Sequence, residues 1–66
     1  MEVTLNGQKK NFTKTMKLAK MIHHSCKNSH HLIAELNGKI IKRPLWPRTS
    51  LKEGDKIELV TFVGGG

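Results

Sequence analysis

The chain has 66 residues, of which 36% are hydrophobic, and 12 Lys and Arg stand against 5 Asp and Glu for a formal net charge of +7. A chain this short forms one domain, and its core is too small to enclose a substrate pocket of the usual ~300–1,000 Å³, which argues against an enzyme with its own active-site cavity. The single cysteine excludes an internal disulfide. No apolar run has the length of a signal peptide or a membrane span, so we expect a soluble, cytoplasmic protein without a membrane partner.

The first third of the chain predicts a β-hairpin followed by a helix. "VTLNG" places Val3 and Leu5 on one face of a strand, and Asn6-Gly7 is typical of a tight hairpin turn into a second strand, "KKNFT". Thr13 or Thr15 is expected to cap the following helix. That helix, "MKLAKMIHHSCKN", is expected to end at Asn28-Ser29 and carries apolar residues at helical spacing: Leu18, Met21, Ile22 and Cys26 (or Ser25).

The rest of the chain predicts three more strands. "HLIAELNGKII" indicates two strands about Asn37-Gly38, and Pro44 and Pro47 are expected to exclude regular structure through "RPLWPRTS". A turn at residues 53–55 precedes the last strand, "KIELV".

The order ββαββ plus a final strand predicts an α+β, ubiquitin-like β-grasp fold, with one helix on one face of a mixed sheet of four to five strands. The right-handed crossover rule places the last strand beside the first. We expect this domain to cover residues 1–63 and to be monomeric when alone. The predicted core is Val3, Leu5, Leu18, Ile22, Leu36, Leu51, Ile57 and Leu59.

The carboxyl-terminal segment "KIELVTFVGGG" separates into two faces and a tail. Ile57 and Leu59 are expected to face the helix, whereas Val60 and Phe62 lie on the open side of the sheet, where they form a predicted partner-docking surface. Glycine loses more backbone freedom on ordering than other residues and has no side chain to pack. A flexible tail at 64–66 therefore contributes little to folding, which leaves the hypothesis that the tail itself is the working part.

From Glu35 onward the sequence resembles the ThiS family of thiamine-biosynthesis sulfur carrier proteins. The matching features are "LNG" at 36–38, Arg43, Trp46, Leu51, Gly54-Asp55 and a terminal Gly-Gly, together with the total length and a second "LNG" at 5–7. Each feature is common alone, and their combination in this order carries the resemblance.

The resemblance implies a sulfur carrier that is not itself an enzyme and binds no cofactor of its own. An adenylating, ubiquitin-activating-like enzyme, ThiF, would use ATP and Mg²⁺ to convert the Gly66 carboxylate into an acyl-adenylate. A cysteine desulfurase relay would supply the sulfur of a thiocarboxylate, and thiazole synthase, ThiG, would consume it. Gly65 and Gly64 would thread into partner active sites, because residues without Cβ allow close backbone approach.

Other interpretations of the same residues are weaker. The histidines at 23, 24, 30 and 31 suggest a metal site, but along one helix His23 and His30 would lie about 10.5 Å apart, too far for a shared ion. Cys26 is expected to pack rather than to act as a nucleophile. The basic residues are scattered without interleaved aromatics, which argues against nucleic-acid binding and favours steering toward an acidic activating enzyme. The small subunit of molybdopterin synthase and a ubiquitin-like protein modifier remain as alternatives.

Overall fold

The computed structural model describes residues 1–26 and 30–61. Within them the chain forms five strands, one α-helix and one 3₁₀ helix. The strands are β1 (Glu2–Leu5), β2 (Gln8–Asn11), β3 (Leu32–Leu36), β4 (Lys39–Ile41) and β5 (Lys56–Thr61), and the helices are α1 (Leu18–Ser25) and the 3₁₀ helix (Arg43–Arg48).

The strands form one mixed sheet in the order β2-β1-β5-β3-β4. The two edge hairpins, β1–β2 and β3–β4, are antiparallel, and β5 lies between them, parallel to β1 and antiparallel to β3. This confirms the predicted α+β, β-grasp arrangement and the placement of the last strand beside the first. Both Asn-Gly turns are also confirmed, because Asn6 and Asn37 have positive φ angles of 49° and 52°.

The predicted threonine cap of α1 is wrong. The helix begins at Leu18 after an extended Lys17, and no side chain caps it. Its first amide instead donates to the Thr49 carbonyl oxygen (2.7 Å), and the Leu51 amide donates to the Met16 carbonyl oxygen (3.0 Å). Backbone pairing with a distant segment has therefore taken the place of a local hydroxyl cap. The helix also ends earlier than predicted, at Ser25, because Cys26 is already extended.

The prediction that the two prolines exclude regular structure is also wrong, because Arg43–Arg48 forms a 3₁₀ helix. Pro44 lies in the first turn, where its missing N–H would have no partner, whereas Pro47 lies inside the helix. The turns are closed instead by the amides of Leu45, which donates to Lys42 (2.8 Å), and Thr49, which donates to Trp46 (3.3 Å). The Trp46 side chain anchors this helix in the core, since it is buried and its indole N–H donates to the Ile41 carbonyl oxygen (2.8 Å).

The core lies between the sheet and the two helices. Its buried hydrophobic side chains are Val3, Leu5, Leu18, Met21, Ile22, Leu32, Ala34, Trp46, Leu51 and Ile57. Six of the eight predicted core residues are in this set, whereas Leu36 and Leu59 are only half-buried and pack against its margin. Leu36 is the last residue of β3, and Leu59 lines a groove at the border of the core with Leu5 and Cys26, so the prediction of full burial was wrong for these two.

No α-helix within the described residues is long and apolar enough to cross a bilayer. The predicted boundary at residue 63 and the tail at 64–66 lie outside the described residues.

Candidate functional site: the central strand and its open face

The central strand β5 leads toward the predicted tail, and the two hairpin turns hold it on both sides. The backbone amide of Asn6 donates to the Ile57 carbonyl oxygen (2.9 Å), and its side-chain Oδ1 accepts from the Leu59 backbone amide (2.7 Å). On the other side, the backbone amide of Asn37 donates to the Lys56 carbonyl oxygen (2.8 Å), and its side-chain Oδ1 accepts from the Lys56 backbone amide (2.9 Å). Each asparagine therefore serves its own turn and fixes the position of β5.

A buried carboxylate completes this arrangement at the start of β5. Asp55 is only 5% exposed. Its Oδ1 accepts from the Asn37 side-chain amide (3.0 Å) and its Oδ2 from the Lys52 backbone amide (2.7 Å). The Asp55 backbone carbonyl also accepts from the Thr4 amide (2.9 Å), which ties the turn to β1. Both carboxylate oxygens thus have donors, as a buried charged group requires.

The two faces of β5 are distinct. Ile57 is fully buried and Leu59 is half-buried on the helix side, while Glu58 and Val60 are exposed on the other side. Val60 is 49% exposed, which agrees with its predicted placement on the open side of the sheet. Phe62, the second residue of the predicted docking surface, lies outside the described residues, as do Gly64, Gly65 and Gly66.

The strand register adds residues that the sequence reasoning missed. Ile33 pairs with Val60, Glu35 pairs with Glu58, and Ile40 pairs with Glu35 on its other side. Because side chains alternate along strands, all five point away from the helix. We call this surface, defined by Ile33, Glu35, Ile40, Glu58 and Val60, the open face. Ile40 is 65% exposed, so the apolar part of the surface extends well beyond Val60.

The other candidate residues do not form a metal site within the described part of the chain. No group of three or more His, Cys, Asp or Glu side chains there is placed to hold a metal ion. Cys26 is half-buried and packs against the core, beside a groove that Leu59 and Thr61 also line. Arg43 lies over the Trp46 ring, 4.7 Å from its centroid, in a cation–π contact.

The fold and the central strand define a small ubiquitin-like β-grasp domain whose last strand lies in the middle of the sheet. The ThiS family model matches residues 3–66. The chain belongs to the ThiS family.

Solved structures of thiamine biosynthesis proteins share this fold. The chain is similar to the crystal structure of the thiamine biosynthesis protein ThiS from Geobacter metallireducens, with 26% identity, a TM-score of 0.88 and full coverage of both chains. A solution NMR structure of a thiamine biosynthesis protein from the same organism gives a TM-score of 0.79 at 26% identity, covering all of this chain and 88% of the other.

Sequence relatives fall into two kinds. The chain is 37% identical over 62 residues to the uncharacterized protein ycf40 of Trieres chinensis, covering 94% of this chain and 85% of that protein. It is also 29% identical, over its full 66 residues, to a thiazole synthase of Paramagnetospirillum magneticum. The chain spans only 20% of the length of that thiazole synthase.

Proposed function

We propose that this protein is the sulfur carrier for thiazole formation in thiamine biosynthesis, acting as a protein-borne sulfur donor and not as a catalyst. The observation that carries the proposal is the family match, which extends through the final glycines to Gly66. The β-grasp domain supports it physically, because β5 is fixed on both sides and would present the following residues from a rigid base.

The chemistry begins with a poor electrophile, since a carboxylate reacts only after one oxygen becomes part of a good leaving group. The Gly66 carboxylate attacks the α-phosphorus of ATP in the activating enzyme, which forms the acyl-adenylate and releases pyrophosphate. The terminal sulfur of a persulfide from the desulfurase relay then attacks the carbonyl carbon, a C–S bond forms, and the C–O bond to AMP breaks, which gives an acyl disulfide. A thiol then attacks the relay sulfur, so that the S–S bond breaks, the relay leaves as a disulfide with that thiol, and the thiocarboxylate is released. The resulting thiocarboxylate gives its sulfur to thiazole synthase.

The partners in this proposal are the adenylating enzyme ThiF, which supplies the ATP and Mg²⁺ site, and the thiazole synthase ThiG. A thiazole synthase that contains a segment similar to this chain supports the second partnership, because joining a carrier to its acceptor in one polypeptide raises their effective concentration. Val60 and Phe62 are proposed to dock these enzymes while Gly64 and Gly65 enter their active sites. The family match favours this function over a molybdopterin synthase subunit.

Intact mass spectrometry tests the proposal. After incubation with the activating enzyme, ATP, Mg²⁺ and a sulfur source, the protein should gain about 16 Da as sulfur replaces one oxygen. Omission of ATP is the control and should leave the mass unchanged. A protein that shows neither an adenylate nor this mass gain under conditions where a known carrier is converted would contradict the proposal.

A further inference from the structure

The open face of the sheet has a charge that is opposite to that of the whole molecule. The protein has a formal net charge of +7, yet two of its five acidic residues, Glu35 and Glu58, face each other across the β3–β5 pair. Directly opposed residues in an antiparallel pair have Cβ atoms about 4.5–5.5 Å apart, and like charges at that spacing destabilise the sheet. The two carboxylates therefore carry a cost in the free protein.

Neither carboxylate has a direct hydrogen-bonded or ionic partner within the part of the chain that the structure describes. No hydrogen bond or ion pair joins either carboxylate to another side chain there, although Glu35 is half-buried. Lys56 lies on the same side of the sheet, two residues before Glu58, outside the five residues that define the open face. Like charges directly opposite each other in a sheet break a local rule of strand pairing, and such rules are broken most often at functional sites.

The surroundings of the two carboxylates indicate what would pair with them. Val60 and Ile33 form the next cross-strand pair along β5 and β3, and Ile40 lies beside Glu35 on β4. Two exposed apolar side chains, 65% for Ile40 and 49% for Val60, thus border a pair of negative charges. A complementary surface would bring apolar side chains onto this border and a cation between the carboxylates.

We propose that the open face docks a protein surface in which an arginine or lysine side chain is set among apolar residues, and that this cation lies between Glu35 and Glu58. The inference rests on the proposed function and deepens it, because the partner surface belongs to the activating enzyme that must receive the tail following β5. Arginine suits the position best, since its planar guanidinium can donate to two carboxylates at once.

This proposal reverses the expectation drawn from net charge. Steering of a +7 protein toward an acidic enzyme would make removal of acidic residues neutral or favourable for binding. Pairing across the open face makes removal of the same residues unfavourable, because a partner cation is then left desolvated without its carboxylates. The two mechanisms differ in the sign of the effect.

The test compares single and double amide variants in binding to the purified activating enzyme. Glu58→Gln and Glu35→Gln should each weaken binding, and the double variant should weaken it about tenfold or more. The double variant should also lose much of the wild-type dependence of affinity on ionic strength. Glu53→Gln, which removes one negative charge from the exposed turn before β5 and keeps an oxygen to accept from the Glu2 backbone amide, is the matched control and should bind like the wild type.

Thermal unfolding of the same variants separates binding from folding. Removing the opposed charges should leave the melting temperature unchanged or slightly higher, so weaker binding cannot be ascribed to unfolding. Unchanged or tighter binding of the double variant, with the wild type bound and converted to the thiocarboxylate, overturns this inference and leaves the proposed function intact. If the wild type neither binds nor gains mass, both fail together.

Discussion

At the residue scale, three polar side chains determine where the last strand lies. Positive φ at the Asn-Gly turns could be predicted from the dipeptide alone, because asparagine and glycine both tolerate that conformation. The hydrogen bonds that their side chains make to β5 could not be predicted in this way. The bonds from Asn37 to Lys56 and from Asn6 to Leu59 join residues 19 and 53 positions apart. Only the strand order, with β5 between the two hairpins, brings these groups together.

A substitution of the buried Asp55 should lower the stability of the fold. Asp55→Asn replaces one acceptor oxygen by an NH₂ group, which must then face either the Lys52 amide or the Asn37 side-chain amide, both of them donors. We expect the free energy of unfolding to fall by about 1–3 kcal/mol, measured by urea denaturation. Glu2→Gln makes the same carboxylate-to-amide change where no side-chain bond is lost within the described residues, and it should be neutral. Equal stability of the two variants would show that the buried carboxylate is not needed.

At the element scale, the sequence predicted which strands and helix exist better than it predicted their ends. The Asn-Gly turns and the alternation in β1 and β5 are local signals, so both hairpins and the faces of β5 could be predicted. The start of α1 depends on pairing of residues 16–18 with residues 49–51, and the 3₁₀ helix depends on burial of Trp46. Neither contact leaves a local signal in the sequence.

The two apolar residues on the helix side of β5 should differ in their contribution to stability. Ile57 is 0% exposed in the core, so Ile57→Ala should lower the free energy of unfolding by about 2–5 kcal/mol, a large part of the total for a domain of this size. Leu59 is half-buried at the margin, so Leu59→Ala should cost clearly less. Val60→Ala, on the exposed face, is the control. Chemical denaturation of the three variants should give the order Ile57, Leu59, Val60, and a larger loss at Leu59 than at Ile57 would contradict the assigned burial.

At the scale of the whole molecule, the sequence indicated the family and the fold, whereas the extent of the proposed docking surface required the structure. Val60 could be placed on the open side from alternation in β5 alone. Ile33, Ile40 and the opposed carboxylates could not, because a shift of one residue in the β3–β5 register would move each side chain to the other face. The net charge of +7 likewise does not indicate that two carboxylates, Glu35 and Glu58, lie opposite each other on the open face.

The last prediction separates the folded domain from the residues that follow it. Within the described residues, every hydrogen bond that fixes β5 to the hairpin turns involves residues up to Leu59, so we expect deletion of Gly65 and Gly66 to leave the melting temperature unchanged. The same deletion should abolish both adenylation and the gain in mass, because the carboxylate would then stand two residues short of the activating enzyme's ATP.

Gly65→Val should give nearly the same loss at full length, since a β-branched side chain is stiff and resists φ > 0. Val60→Ala, with an intact tail, should retain conversion at saturating enzyme and thereby distinguish docking from chemistry. If the truncated protein still supports thiazole formation at the normal rate, the glycines are not the site of sulfur transfer and the carrier proposal fails.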